Sequence, residues 1–120
     1  MLGYSENSAC RIEKTSEVIM IYCVLFEDDE AFAHARAANM EAHLAFLAAQ
    51  GGRIREAGPL VDTSTRRAAG GLWTVEAESA ERVLDYVRQD PFWPTGLRKA
   101  WRILEWKQVF STLASEQASR

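Results

Sequence analysis

His43 is the residue with the clearest chemical promise. It lies in F-A-H-A-R-A-A-N-M-E-A-H-L-A-F-L-A-A-Q, Phe32 to Gln50, which reads as one amphipathic helix. At about 100° per residue, Ala33, Ala37, Met40, Leu44 and Leu47 share an apolar arc, while Glu30, His34 and Glu41 fall opposite. His43 sits on the border, with Arg36 one heptad before it and Asn39 one turn before it. An imidazole there reaches both a packed interior and a wet cleft, which suits a group that moves protons. His34 points to the other side.

Those residues need a scaffold. Val18–Phe26 is apolar at nearly every position, as in a strand covered on both faces. Asp28 or Asp29 then caps the helix, and Gly51-Gly52 stops it. Arg53–Ala57 reads as a short strand leading into Gly58-Pro59-Leu60, and Val61–Ala69 as a polar hairpin connection. Asp62, Ser64 and Thr65 in it suit turn geometry. Gly70–Ala77 is a third strand. Ser79 caps a second helix, with Ala80, Val83, Leu84 and Val87 at helical spacing, and Asp90-Pro91 ends it. After the aromatic loop Phe92–Leu97, the last strand spans Ala100–Phe110.

This order, β-α-β-β-α-β, predicts an α+β chain of ferredoxin-like βαββαβ form with an antiparallel four-stranded sheet. Two helices cover only one face of such a sheet. The first strand is apolar on both faces, and Trp73, Trp101 and Trp106 add large rings. The bare face therefore calls for a second copy, and a homodimer or higher oligomer is expected.

Composition narrows the function. A length of 120 residues fits one domain with a real core, taken here as 18–110 between tails 1–17 and 111–120. Met20, where order begins, is a candidate translation start. A net charge of −3 without a basic run argues against nucleic acid, and the strands lack the aromatic K/R-G-F/Y signature of RNA-binding sheets. No apolar run is long enough for a membrane span. Cys10 and Cys23 make no disulfide framework, so a reducing cytoplasmic setting is expected. Two histidines on opposite helix faces fail the spacing test for a metal.

Five pieces in this order resemble the YciI-like (YCII-related) family of the dimeric α+β barrel superfamily. They are A-H-L-A-F-L around His43, A-G-P-L-V-D at Ala57–Asp62, E-A-E-S-A-E-R-V-L entering the second helix, D-P-F at Asp90–Phe92, and W-K-Q-V-F at Trp106–Phe110. The resemblance spans Met20–Phe110. It implies a subunit that dimerises through its sheet, and a cleft holding a His and an Asp, by position His43 and Asp90. One family member eliminates chloride from a chlorinated hydroxyquinol, and the wider superfamily includes muconolactone isomerases and cofactor-free monooxygenases. Many members carry an Arg where this chain has Met40, whereas Arg36 matches a basic position common in the family.

On that footing Asp90 orients His43 and leaves its other nitrogen as a general base. Arg36 is an anion clamp and Asn39 a supporting hydrogen-bonding residue. Gly58-Pro59 lets a ligand approach the backbone closely, and Phe92, Trp93 and Tyr22 wall the cleft. No cofactor is implied. Two functions remain open: a cofactor-free enzyme for proton abstraction, isomerisation or elimination on a small cyclic, aromatic or enolic compound, or a non-catalytic dimeric module that binds a small ligand.

Overall fold

The computed structural model describes residues 18–113, so the expected N-terminal tail lies outside the described residues. Strand β1 is Met20–Asp28. Its alternation is plain: Tyr22, Val24 and Phe26 are buried under the helices, while Ile21, Cys23 and Leu25 face the other way and are half-buried. Asp29, not Asp28, is the cap. Its side chain accepts from the Ala31 N–H at 3.0 Å, opening a short 3₁₀ turn at Glu30–Phe32. Helix α1, His34–Ala48, follows and ends before Gly51 and Gly52, whose φ values of +66° and +83° an L side chain rarely adopts.

Strand β2, Ile54–Val61, is longer than expected and runs straight through Gly58-Pro59. It lies at the sheet edge, where a proline without an N–H is tolerated. In the turn that follows, Asp62 accepts from the N–H groups of Ser64 and Thr65 and from the Ser64 hydroxyl. Strand β3, Ala68–Ala77, pairs antiparallel with both β2 and β1. Ser79 caps helix α2, Ala80–Gln89, through the Arg82 N–H at 3.1 Å. After a 3₁₀ turn at Trp93–Thr95, strand β4, Arg98–Glu105, pairs antiparallel with β1.

The sheet order β2-β3-β1-β4 with both helices on one face is the ferredoxin-like arrangement read from the sequence. The core lies between: Val24, Phe26, Trp73, Val75, Val83 and Val87 are buried, with Phe46 and Leu47 of α1 packed against them. No helix among the described residues is long and apolar enough to cross a membrane.

Two expectations need correction. Strand β4 stops at Glu105, not Phe110. The Trp106 N–H still donates to the Ile21 carbonyl at 2.8 Å, but the chain then leaves the sheet, with Val109 97% and Phe110 83% exposed. The inward edge of α1 is also turned. Ala35 and His43 are its buried residues, while Met40 and Leu44 of the apolar arc are exposed. An alanine-rich helix distinguishes its faces weakly, so the contacts of Ala35 with Phe92 and Leu97, and of His43 with Asp90, decide which edge goes in.

Candidate active site

Asp90 ends α2 in an extended conformation, with Pro91 barring continuation of the helix. Its Oδ1 accepts from the Phe92 N–H at 3.3 Å, so the carboxylate turns back over its own loop. There it meets α1: His43 Nδ1 lies 2.7 Å from Asp90 Oδ1, and both side chains are at least nine-tenths buried. The imidazole also stacks on the Phe92 ring, centroids 4.1 Å apart and planes within 13°. With Nδ1–H donating to the carboxylate, Nε2 is the nitrogen left for a ligand.

A second set of charges backs this pair. Asp28 accepts from Arg98 Nη1 at 3.1 Å through one oxygen and from Arg36 Nη2 at 3.2 Å through the other. Arg36 also donates to Glu30 at 2.8 Å. Hydrogen bonding to Glu30, against the pull of burial and with help from Asp28, holds the Arg36 guanidinium protonated even more firmly than usual. Arg98 Nη2 stands 3.6 Å from Asp90 Oδ2. Its guanidinium lies over the Phe26 ring at 3.9 Å and near the Phe92 ring at 5.1 Å.

Asp28, Arg36, His43, Phe92 and Arg98 border a cavity of about 150 Å³, room for a small ring. Asp28, Arg36, His43 and Arg98 make its polar end. Met40, Leu44 and Leu47 of α1 and Trp73 of β3 make the apolar walls, and Ala57–Pro59 of β2 close one side. Gly70 and Gly71 expose bare backbone to it. Gly70 has φ +93°, and a Cβ there would collide with the Phe26 carbonyl oxygen; one at Gly71 would lie 3.3 Å from the Gly58 oxygen.

Residues 20–107 match the YCII-related domain. The chain belongs to that family. Among solved structures, it is similar to 5-chloro-2-hydroxyhydroquinone dehydrochlorinase (TftG) from Burkholderia phenoliruptrix in complex with 2,5-dihydroxybenzoquinone. The two share 30% identity at a TM-score of 0.64, over 74% of this chain and 95% of that one. No curated protein matches the chain.

In this YCII-related domain, His43, Arg36, Gly58, Pro59 and Phe92 line the cavity, and Asp90 lies behind His43. Tyr22 does not. It is buried in the core towards the other end of β1, opposite Val75 and Glu105, with its hydroxyl near the Met20 sulfur. Alternation along a strand gives the face of a residue but not its distance from the cavity. Asn39 is also elsewhere, its amide donating to the Ala35 carbonyl at 3.0 Å within α1. Trp93 packs edge-on against Trp101 rather than on the cavity. Sequence reasoning missed Arg98 and, as a site residue, Asp28. The signal that finds them is register: antiparallel pairing sets Arg98 opposite Asp28 at the end of β1.

Proposed function

We propose that this chain is a cofactor-free enzyme in which His43 removes a proton from a small cyclic or enolic compound, driving elimination or isomerisation. The observation that carries this is the His43–Asp90 contact of 2.7 Å beside a largely apolar cavity. His43 Nε2 accepts the proton, and Asp90 stabilises the imidazolium that forms. The electron pair left on the substrate becomes an enolate, near the guanidinium groups of Arg36 and Arg98. In an elimination the pair then forms the new double bond as the leaving group departs with its own electrons. In an isomerisation His43 returns the proton at another atom.

TftG supports this reading, since it is a dehydrochlorinase of a chlorinated, hydroxylated ring and its bound ligand is a hydroxylated quinone. The exposed large residues Leu104 and Trp106, with Ile21 and Leu25 on the bare sheet face, support a homodimer stacked sheet to sheet.

The test is turnover on a panel of hydroxyquinols, enols and lactones, read beside ligand affinity. His43→Ala and Asp90→Asn are each expected to lower kcat by about two to four orders of magnitude while Kd moves little. Binding without turnover anywhere in the panel would favour a ligand-binding module instead.

A further inference from the structure

The charges beside the cavity form a single line of alternating sign. Glu30 pairs with Arg36, Arg36 with Asp28, Asp28 with Arg98, Arg98 with Asp90, and Asp90 with His43. They come from the 3₁₀ turn, α1, β1, β4 and the end of α2. Among the described residues these are the charged groups that line the cavity or pair with those that do. Three carboxylates and two guanidinium groups sum to −1, and an imidazolium at His43 brings the line to zero.

Arg98 is the member that touches two almost wholly buried carboxylates. Its side chain is 7% exposed, and those of Asp28 and Asp90 are 3% and 2%. The grip is uneven. Nη1 donates to Asp28 at 3.1 Å, whereas Nη2 stands 3.6 Å from Asp90 Oδ2. That oxygen and Arg98 Nε are both buried without a hydrogen-bond partner. Such orphaned atoms are costly in a low-dielectric interior and rare without a reason. The geometry accounts for it: the guanidinium is one rigid plane, and the position that brings Nη1 to Asp28 leaves Nη2 beyond hydrogen-bond reach of Asp90.

We propose that Arg98 is a positioning residue, held by Asp28 just short of a hydrogen bond to Asp90, and that its distance from Asp90 sets how tightly Asp90 holds a proton on His43. Asp28 is the competitor that keeps the hold of Arg98 on Asp90 loose. Without Arg98, the imidazolium is the one counter-charge left to Asp90 among the described residues, and His43 gives up its proton less readily. With Asp28 neutral, Arg98 closes on Asp90 Oδ2, and Asp90 has less negative charge to offer His43. The mechanistic value of this tuning rests on His43 acting as the base, but its physical readout does not.

The test is an NMR titration of the two histidine rings in the intact protein, with exposed His34 as internal control. Arg98→Met is expected to raise the His43 midpoint, since a positive charge beside its carboxylate partner is lost. Asp28→Asn is expected to lower it, and Arg98→Lys, which keeps the charge, to hold it near the wild-type value. If Arg98→Met fails to fold, Arg98→Gln replaces it, and Asp28→Asn made in that background should move the midpoint less than Asp28→Asn alone, which separates the part played by Arg98 from the charge of Asp28 itself. A His43 midpoint unmoved or raised in Asp28→Asn overturns the proposal, as does one unmoved in a folded Arg98→Met. Absence of turnover across the substrate panel would sink the enzyme reading and leave these shifts standing. Unmoved midpoints with activity lost in His43→Ala would sink the role of Arg98 alone.

Discussion

An imidazole with one nitrogen on a buried carboxylate and one face on a phenyl ring has little rotational freedom left. Phe92 is therefore as much a support as a wall. Phe92→Ala is expected to cost about 3–5 kcal/mol in urea unfolding and to loosen His43, whereas Phe92→Leu should cost far less. Tyr22 offers a test away from the cavity. Burial first, then the nearby charges of Glu105, Glu81 and Glu78, pushes its hydroxyl above the usual value of 10.0. The neutral form is the one the fold favours, so this stability is fully present below pH 10 and is lost as pH rises through the raised value. Denaturation curves from pH 8 to 11 should fall more gently in Tyr22→Phe than in wild type. The pairing of His43 with Asp90 was legible in the sequence because A-H-L-A-F-L and D-P-F keep the family's order. Arg98 was not, because its meaning comes from the strand it lies beside.

At the scale of elements, α1 shows how far periodicity reaches. It marks the helix from its caps and spacing, yet the apolar arc at Met40 and Leu44 faces the cavity mouth and solvent rather than the core. Phe46 and Leu47 pack on the main core, and Ala35 is buried in a smaller cluster with Phe92 and Leu97. Ala35→Leu is accordingly expected to cost about 1–3 kcal/mol by overpacking. Leu44→Lys should change folding stability by less than about 0.5 kcal/mol and show its effect in ligand affinity instead. Calorimetry and a binding titration on the same two variants separate these outcomes. Strand ends were the least legible part. Apolar residues continue past Glu105, and only the loss of a pairing partner beyond Trp106 ends β4.

For the whole molecule, the order of elements dictated the sheet, and the unevenness of its two faces followed. One face carries both helices. The other presents Ile21, Cys23, Leu25, Leu72 and Leu104 without cover from this chain's helices. If a second copy covers that face, Leu104→Lys should convert dimer to monomer in sedimentation equilibrium while the single subunit stays folded. Burial already pushes the Cys23 thiol up from its ordinary 9.0, so its alkylation at neutral pH should be slow, and slower still in an assembled dimer.

The adjacent glycines 70 and 71 constrain how this scaffold can be remodelled. On that strand there is no room to trade hydrogen for a methyl at position 70, and little at 71. New ligand preferences must therefore be written on the opposing helix, at Met40 and Leu44, where larger, smaller or charged side chains meet solvent before they meet the fold. Directed diversification confined to those two positions should alter selectivity without collapsing the protein, and the same freedom confined to the glycine pair should yield mostly unfolded variants.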